Sequence, residues 1–366
     1  MNDIERNKKE LERFRIEIDK IDDKIINLVN KRAEIVIDIG KVKKLLNLGV
    51  FQPKREEEII QRITKKSTLL KPSIVETIWK EIMGATKDLQ GTISKVGYLG
   101  PKGTFTHQAV LGFFPKTGTN FIGCKNISEI FEKIEKNLLD FGAIPIENSL
   151  QGTVRESLDL LIEKNLIIYG EVELRIVQNF ISLKSSDLLK IENIYSHPQA
   201  FAQVRTWIKT NLPSANLINM NSTAEAVKKV KELNMEKNGA IGTEFASKIH
   251  DLKILSSNIE DNPSNFTRFL IISKKENEIK GEKIKTSLVF VVKHVPGALY
   301  KALKVFSDEN LNLIKIESRP RRKGKWEYIF LMDFEGDKDD PKIKEVLELM
   351  NQNVIWCKIL GSYPYK

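Results

Sequence analysis

One apolar seam near the start of the chain predicts a very long helix. Its members are spaced alternately three and four residues apart, which is the spacing of one packed face of a helix. They are Leu11, Phe14, Ile18, Ile21, Ile25, Leu28, Arg32, Ile35, Ile39, Val42 and Leu46. A helix of about 40 residues is about 60 Å long. Two short helices cannot cover that length, so we expect a second copy of the helix to bury the seam.

Arg32 is the charged member of this seam. A guanidinium keeps its charge, so an inward position needs an anion to meet it. Lys43 lies about three helical turns further on and faces nearly the same way. Two cations on one inward face predict a buried pocket for a small ligand that carries carboxylates. The alternative is an arginine that only forms a salt bridge within a helical dimer.

Proline positions and hydrophobic periodicity divide the 366 residues into three segments. Residues 1–91 are predicted to be all helix, because Pro53 and Pro72 are start signals for a second and a third helix. Residues 94–274 alternate strands and helices, which is the α/β pattern, here long enough for two lobes around a cleft. Residues 286–363 have the βαββαβ order of a ferredoxin-like α+β module.

The strands and helices of the two later segments are predicted from short apolar runs bounded by Gly, Pro, Asn and Ser. In the α/β segment, strands are predicted at 95–99, 141–146, 194–196, 216–220, 239–242 and 268–272. In the last segment, strands are predicted at 287–292, 313–318, 326–334 and 355–360, with helices at 297–309 and 341–351.

Composition argues against several classes of protein. The net charge is +10, but the 59 Lys and Arg are dispersed among 49 Asp and Glu, which favours a solvated surface over a nucleic-acid site. The four histidines have no ligand spacing, so we expect no metal, and the two cysteines lie far apart, as in reduced proteins. No apolar stretch has the length of a signal or a membrane span. We therefore expect a cytoplasmic protein without nucleic-acid or membrane partners.

The helical segment resembles the all-helical chorismate mutases over residues 8–90. The resemblance rests on LERFRIEIDKIDDKIINLVNKRAEIVIDIGKVK, PKREEEII and ATKDLQ. It implies an intertwined helical dimer with a shared substrate pocket. The residues it assigns to that pocket are Arg15, Arg32, Lys43, Gln52, Arg55, Glu56, Thr86 and Gln90.

The roles implied by this resemblance suit a pericyclic rearrangement, which needs no acid, base, nucleophile or cofactor. Arg32 and Arg15 of the partner chain would bind the two carboxylates of chorismate. Lys43 and Gln90 would bind the ether oxygen, where negative charge develops as the bond breaks. Glu56 would meet the ring hydroxyl. We count Lys43 and Gln90 as catalytic for that reason.

Two pocket positions depart from the usual pattern. Gln52 stands where Asp is frequent, and Thr86 stands where Ser is frequent. Both side chains still form hydrogen bonds, so we expect an altered affinity with activity retained. A degenerate mutase segment is the alternative.

The α/β segment resembles the prephenate dehydratases, through GPKGT at 100–104, IENS at 146–149, SHPQA at 196–200 and NFTRF at 265–269. The resemblance implies two lobes like those of periplasmic binding proteins, with the site in the cleft. By the same resemblance Thr267 would be essential, Arg268 would bind a carboxylate and Glu147 would line the site. From the chemistry we propose Thr267 as the donor to the departing ring hydroxyl and Glu147 as a candidate proton source. Other residues implied to line the site are Thr104, Asn148, Ser149, Ser196 and Gln203.

Two further polar positions in this segment favour structural roles. Ser222-Thr223 has the pattern of a plain helix cap. The position of His197 before Pro198 favours a structural over a catalytic role.

Loss of water and CO2 from prephenate makes an aromatic ring, so the reaction has its own driving force. We therefore expect no cofactor.

The last segment resembles the ACT regulatory domains of phenylalanine-sensitive enzymes. The resemblance rests on HVPGALY at 294–300 and ESRP at 317–320. It implies that loops of two chains enclose L-phenylalanine, with Gly297, Ala298, Leu299, Glu317 and Ser318 as effector-binding residues. A dimerisation module without a ligand is the alternative.

Together the three resemblances predict a bifunctional enzyme of L-phenylalanine biosynthesis. It would rearrange chorismate to prephenate, then convert prephenate to phenylpyruvate under feedback inhibition, as a homodimer or a larger homo-oligomer. The alternative from another class is a non-enzymatic, amino-acid-responsive binding protein. A binding protein of that kind does not explain the presence of Arg32, Lys43 and Thr267 in these motifs.

Overall fold

The computed structural model describes residues 3–45, 53–89, 94–277, 283–320 and 328–365. These residues form two compact units. The helical unit contains the described residues up to Ser94 together with Pro115–Thr119, and the second unit contains the others. Within the described residues, no helix combines the length and the apolar character that a bilayer span requires.

Three helices build the helical unit, as predicted. They are α1 (Asp3–Leu45), α2 (Pro53–Thr64) and α3 (Pro72–Asp88). A proline opens α2 and α3 because its fixed φ suits the first helical turn and its missing N–H is not needed there. The α3 helix packs against both α1 and α2. The α1 seam stays uncovered within one chain: Leu28 is 65% exposed and Ile35 is 62% exposed.

The α/β segment consists of β1 (Ser94–Leu99), α4 (Phe105–Phe113), β2 (Thr119–Cys124), α5 (Ile127–Glu135), β3 (Phe141–Asn148), β4 (Gly152–Thr153), α6 (Arg155–Glu163), β5 (Ile167–Arg175), β6 (Asn179–Ser182), β7 (Asn193–Ser196), α7 (Pro198–Gln203), α8 (Arg205–Asn211), β8 (Asn216–Asn219), α9 (Thr223–Leu233), β9 (Asn238–Gly242), α10 (Glu244–Ile249), β10 (Lys253–Ser256) and β11 (Phe266–Ser273). All six predicted strands are present. The prediction missed β2, β4, β5, β6 and β10.

Two sheets divide this segment into two lobes, as expected. The first sheet has the order β2-β1-β3-β11-β5, with β4 paired to β3, and the second has the order β10-β6-β9-β7-β8. The chain passes between the lobes after β5 and before β11. The Ile176 N–H donates to the Asn265 carbonyl at 2.8 Å at this crossing. Since β11 lies between β3 and β5, the NFTRF motif enters the centre of the first sheet directly from the crossing.

The C-terminal module has the predicted ferredoxin-like order. It consists of β12 (Ile284–Val291), α11 (Ala298–Asp308), β13 (Leu313–Pro320), β14 (Tyr328–Glu335), α12 (Pro341–Asn351) and β15 (Trp356–Pro364). Its antiparallel sheet has the order β13-β14-β12-β15. Edge strand β13 therefore keeps one side free of sheet partners within the described residues.

The module's sheet is buried on both faces, with alternate residues serving different cores. Phe290 packs with Phe306 and Met350 beneath α11 and α12. Val289, on the opposite face, joins Leu360 in the core of the first lobe. This period-2 alternation is what a two-sided sheet requires. The module is thus docked on the lobe that carries β11.

Candidate functional site

The helical unit brings Arg32 of α1 to Thr86 of α3. Arg32 Nη1 donates to Thr86 Oγ1 at 2.8 Å, and the Thr86 hydroxyl donates to the Ile82 carbonyl at 3.0 Å. Burial lowers the pKa of Arg32, and the charge of Glu56 on α2 acts in the opposite direction. Residues from all three helices therefore form one half-buried cationic site, which suits an anionic ligand.

The other residues assigned to this pocket are dispersed. Lys43 is half-buried on α1, whereas Arg15 and Arg55 are exposed and pair with acids of their own helices. Arg15 lies about 25 Å along α1 from Arg32, so one chain does not bring the two together. Gln52 and Gln90 lie outside the described residues.

Between the two lobes of the second unit lies a cleft of about 730 Å³. Both lobes contribute polar side chains to it. Those from the predicted motifs are Thr104, Asn148, His197, Gln203, Thr223 and Thr267. A cleft of this size, lined by a few convergent polar groups, is typical of a small-molecule site.

Asn148 and Thr267 meet at the base of the cleft, in register on β3 and β11. Asn148 Nδ2 donates to Thr267 Oγ1 at 2.9 Å and to Asn265 Oδ1 at 2.7 Å. Asn148 Oδ1 accepts from the backbone N–H groups of Leu150 and Gln151, which fixes which side of the amide faces Thr267. Because Thr267 Oγ1 accepts this bond, its own hydrogen is available to a group in the cleft.

The GPKGT loop spans the mouth of the cleft. Thr104 caps α4 by accepting from the His107 N–H at 3.2 Å. The Gly103 N–H donates to His107 Nδ1 at 3.1 Å, and the Gly103 carbonyl accepts from Thr243 of the second lobe at 2.9 Å. Gly103 has φ +96°, a conformation that favours glycine. The loop is thus held by both lobes.

His107 supports this loop from below as a neutral side chain. Its ring stacks on Tyr98 with 4.3 Å between centroids. Burial, together with the charge of Lys102, lowers the pKa of His107 to about 4. A neutral ring is needed because Nδ1 must accept from Gly103.

Glu147 and Arg268 do not line the cleft. Register shifts by one residue between β3 and β11, so that Arg268 pairs with Glu147 and Phe269 pairs with Pro145. Pro145 has no N–H for the ladder, which suits a bulge. The bulge turns Pro145 and Asn148 toward the cleft and leaves Glu147 beside Arg268 on the other face. We therefore revise the predicted substrate contacts of these two residues.

Two predicted serines also lie outside the cleft lining. The Ser149 hydroxyl donates to the Ser264 carbonyl and accepts from the Phe266 N–H, so it fastens the start of β11. Ser196 is fully buried and donates to the Ile241 carbonyl at 2.9 Å. Both side chains have structural bonds, and their predicted contact with substrate is revised on this ground.

Several cleft residues were missed by sequence reasoning. They are Lys125, Gln178, Gln199, Glu225 and Lys228. Gln199 lies within SHPQA but was not assigned to the site, Glu225 lies at a predicted helix start, and the other three belong to no motif. The detectable signal was the helix start at 221–225, since Ser222 caps α9 as predicted and faces the same cleft. His197 Nδ1 accepts from the Gln199 N–H at the start of α7, which fits the structural role favoured from sequence, and the same side chain also lines the cleft.

A second pocket, of about 550 Å³, lies in the C-terminal module. Gly297, Ala298 and Leu299 line it together with the rings of Tyr328 and Phe330. Glu317 and Ser318 lie on β13 and are not among its lining residues. The pocket combines an apolar wall with a helix start, an arrangement that suits an aromatic amino acid.

Comparison with known proteins agrees with this geometry. The family model of chorismate mutase type II matches residues 14–91, that of prephenate dehydratase matches 96–277, and that of the ACT domain matches 286–348. The bifunctional chorismate mutase/prephenate dehydratase of Aquifex aeolicus (strain VF5) is 40% identical over 360 residues, which cover 97% of this chain and 98% of that protein.

Solved structures resemble the second unit. The prephenate dehydratase of Arthrobacter aurescens in complex with L-Phe has a TM-score of 0.67 and 29% identity, covering 74% of this chain and 90% of that one. A quorum-quenching acylase, GqqA, also has a TM-score of 0.67, with 28% identity and coverage of 74% and 98%. The resemblances found in the sequence are confirmed, and the chain belongs to the family of bifunctional chorismate mutase/prephenate dehydratases.

Proposed function

We propose that this chain converts chorismate to prephenate in its helical unit and prephenate to phenylpyruvate in its cleft. The observation that carries the second activity is the Asn148–Thr267 pair, which leaves a hydroxyl donor directed at the cleft between two lobes. The full-length match to a bifunctional relative supports both activities in one chain. The free cysteines Cys124 and Cys357 fit a reducing, cytoplasmic setting.

For the mutase, we propose that Arg32 binds one carboxylate of chorismate beside Thr86 and Glu56. Lys43, Arg55, Gln52 and Gln90 complete the proposed set of this chain. The rearrangement then needs only a compact substrate and positive charge near its ether oxygen.

The partner chain completes this pocket in our proposal. The uncovered α1 seam is far longer than α2 and α3, and a second α1 of equal length buries it in an antiparallel pair. Such a pair brings Arg15 of the partner toward Arg32, where it meets the second carboxylate. The proposed assembly is thus a homodimer with intertwined helical units.

In the dehydratase, Thr267 donates a hydrogen bond to the hydroxyl that leaves the ring of prephenate. Asn148 holds the Thr267 oxygen, so the donor is oriented before substrate arrives. The hydroxyl takes a proton from solvent in the cleft and leaves as water, while the electron pair of the bond to the ring carboxylate, which leaves as CO2, completes the aromatic ring. Thr104 and Gln203 line the same cleft and contact the substrate in this proposal.

Lys125 and Lys228 supply positive charge to the cleft in place of Arg268. Lys125 lies in the first lobe and Lys228 in the second, so both lobes offer a cation to a substrate with two carboxylates. The start of α9, with its backbone N–H groups, adds a third favourable position for an anion.

L-Phenylalanine binds the C-terminal pocket and inhibits dehydration. Gly297, Ala298 and Leu299 meet its backbone at the start of α11, and Tyr328 and Phe330 contact its ring. Glu317 and Ser318 lie on edge strand β13, and we assign them to the same effector across a pairing of two modules.

A chorismate time course with separate detection of prephenate and phenylpyruvate tests the proposal. We expect prephenate to rise and then to become phenylpyruvate, with the second step slowed by L-phenylalanine. Conversion of added prephenate with chorismate untouched refutes the mutase half alone. If neither substrate changes, both activities are refuted and the binding-protein alternative takes their place.

A further inference from the structure

The strand that carries Thr267 has a second face, which is turned toward the C-terminal module. Arg268 lies on this face with a side chain that is 15% exposed. Its Nη2 lies 2.8 Å from Asp333 Oδ2 on β14, and its Nε lies 3.3 Å from Glu171 Oε2 on β5. The guanidinium therefore bridges the catalytic lobe and the module.

Asp333 is completely buried and depends on this arginine. Its other carboxylate oxygen accepts from Ser287 Oγ at 2.6 Å, and Ser287 is also bonded to the Tyr363 hydroxyl. A buried carboxylate needs a counter-charge, and Arg268 provides it. Burial alone lowers the pKa of Arg268, but the charges of Asp333, Tyr363 and Glu171, together with the hydrogen bond to Asp333, outweigh it and raise that pKa above its ordinary value. The guanidinium therefore stays charged and paired with Asp333 at the interface between lobe and module.

A second ionic link joins β13 of the module to β3, the strand that pairs with β11 in the first lobe. Lys315 Nζ lies 2.6 Å from Glu147 Oε2 and 3.2 Å from Glu317 Oε2. Glu317 also accepts a hydrogen bond from Thr153 Oγ1. Glu147 precedes Asn148 in the chain, and Arg268 follows Thr267. Each member of the Asn148–Thr267 pair therefore has a sequence neighbour that is ion-paired to the C-terminal module.

We propose that Arg268 is a positioning residue that couples the C-terminal module to Thr267 through its ion pair with Asp333. The Arg268–Asp333 ion pair holds β11 in the register that presents Thr267 to the cleft. The Glu147–Lys315 ion pair holds β3 so that Asn148 stays opposite Thr267. A displacement of the module's strands on effector binding moves both residues relative to each other. Dehydration then slows without any contact between effector and substrate. This inference rests on the proposed dehydratase function.

Asp333→Asn in the full-length chain tests the coupling, because Asp333 is on the module and does not line the cleft. The change keeps the shape and removes the charge that pairs with Arg268. We expect kcat for prephenate to fall about tenfold with KM changed less than about twofold, since positioning is lost and substrate contacts are kept. We also expect the half-inhibitory concentration of L-phenylalanine to shift by at least about threefold. Asp308→Asn, the same change at an exposed ion pair on α11, is the matched control.

Two variants of Arg268 separate positioning from substrate binding. Arg268→Gln should reproduce the effect of Asp333→Asn, Arg268→Lys should restore part of kcat, and the double variant should be little worse than either single one. A large rise in KM for Arg268→Gln, with kcat and phenylalanine response unchanged, would overturn the proposal. So would Asp333→Asn kinetics equal to those of Asp308→Asn.

Folding and function are checked independently. Thermal unfolding of each variant reports on the fold of the second unit, and chorismate mutase activity reports on the helical unit alone. If Asp333→Asn does not fold, Ser287→Ala removes one hydrogen bond to Asp333 and keeps the ion pair. It should lower kcat in the same direction, and wild-type kcat would count against the proposal. Failure of the dehydratase function itself appears differently, as a wild-type chain that leaves prephenate unchanged.

Discussion

Asn148 Nδ2 donates to Thr267 Oγ1 at 2.9 Å between adjacent strands of the first lobe. The amide is held by two backbone N–H groups at its oxygen, so its nitrogen cannot turn away. The threonine oxygen is therefore occupied as an acceptor. Its hydrogen is left for a group in the cleft, and this relationship makes the hydroxyl an oriented donor.

Thr267→Ala should lower the turnover of prephenate by about 100-fold or more, because one preorganised donor to the leaving group is lost. Thr267→Ser keeps the hydroxyl and should retain most activity. Chorismate mutase activity should stay at the wild-type level in both variants, since the helical unit is a separate compact unit. Steady-state assays with each substrate measure this. A Thr267→Ala enzyme with normal turnover of prephenate excludes the proposed role.

Asn148→Asp should also reduce turnover, by about tenfold or more. The aspartate still accepts from the Leu150 and Gln151 N–H groups, but it presents an acceptor to Thr267. The Thr267 hydrogen then turns to the carboxylate and leaves the cleft without its donor. Asn211→Asp, at an exposed asparagine on α8, is the control. Equal turnover in the two variants contradicts the orientation argument.

Arg32→Ala should lower the mutase activity by more than about tenfold and leave the conversion of added prephenate intact. Removal of the carboxylate-binding guanidinium costs about 1.5–3 kcal/mol per charged hydrogen bond, or more than about tenfold in kcat/KM. Thr86→Val removes one acceptor of Arg32 and should have a smaller effect. Arg13→Ala, an exposed arginine on the same helix, is the control. The idea fails if Arg32→Ala and Arg13→Ala rearrange chorismate equally well.

His107 should make the second unit less stable as pH falls below neutrality. The folded chain keeps His107 neutral down to its pKa of about 4, whereas the unfolded chain protonates it near 6.5. The unfolded state therefore binds the proton first as the pH falls. The free energy of unfolding decreases between pH 6.5 and 4, by about 3 kcal/mol in all.

Urea unfolding of the wild type and of His107→Gln at several pH values measures this. Glutamine keeps an acceptor for the Gly103 N–H but does not titrate. The free-energy advantage of the wild type should therefore shrink as the pH falls from 7 to 4. A constant difference between the two proteins would rule out the buried neutral histidine.

Gly361→Ala should destabilise the docking of the C-terminal module. Gly361 has φ +148°, and a Cβ built there would lie 2.4 Å from the Ile168 carbonyl oxygen of β5. We expect the strained backbone conformation alone to lower the free energy of unfolding by about 1–3 kcal/mol. Gly112→Ala is the control, because its Cβ meets nothing within 4 Å in α4 and alanine favours the helix. Thermal unfolding that ranks Gly361→Ala as the more stable variant would contradict the geometry.

Local patterns predicted the helices well. The starts of α2 and α3 follow from Pro53 and Pro72, because proline acts through its own φ and needs no distant partner. The order of elements in the C-terminal module was predicted for a similar reason, since its strands alternate clearly. By contrast, β6 and β10 are four residues each and depend on strand pairing across the second lobe. Such short strands carry too little pattern of their own.

The cleft was predicted in part. The four motifs led to Thr104, Asn148 and Thr267, which are close in the fold although far apart in the chain. The motifs did not reveal on which face of the sheet the side chains of Glu147 and Arg268 lie. Adjacent residues in a strand point to opposite faces, and the bulge at Pro145 sets which of them faces the cleft. Lys228 belongs to no motif and reaches the cleft only through the placement of α9.

Periodicity and motif spacing are local properties of the chain, so they sufficed to predict the family, the order of the three segments and the long α1 helix. The place of Arg268 at the module interface became visible only in the folded protein. A guanidinium next to a threonine of the cleft suits either an anionic substrate or a buried acid. Asp333, 65 residues later, is brought to it by the docking of two sheets, and the cost of leaving that buried carboxylate unpaired commits the arginine to it.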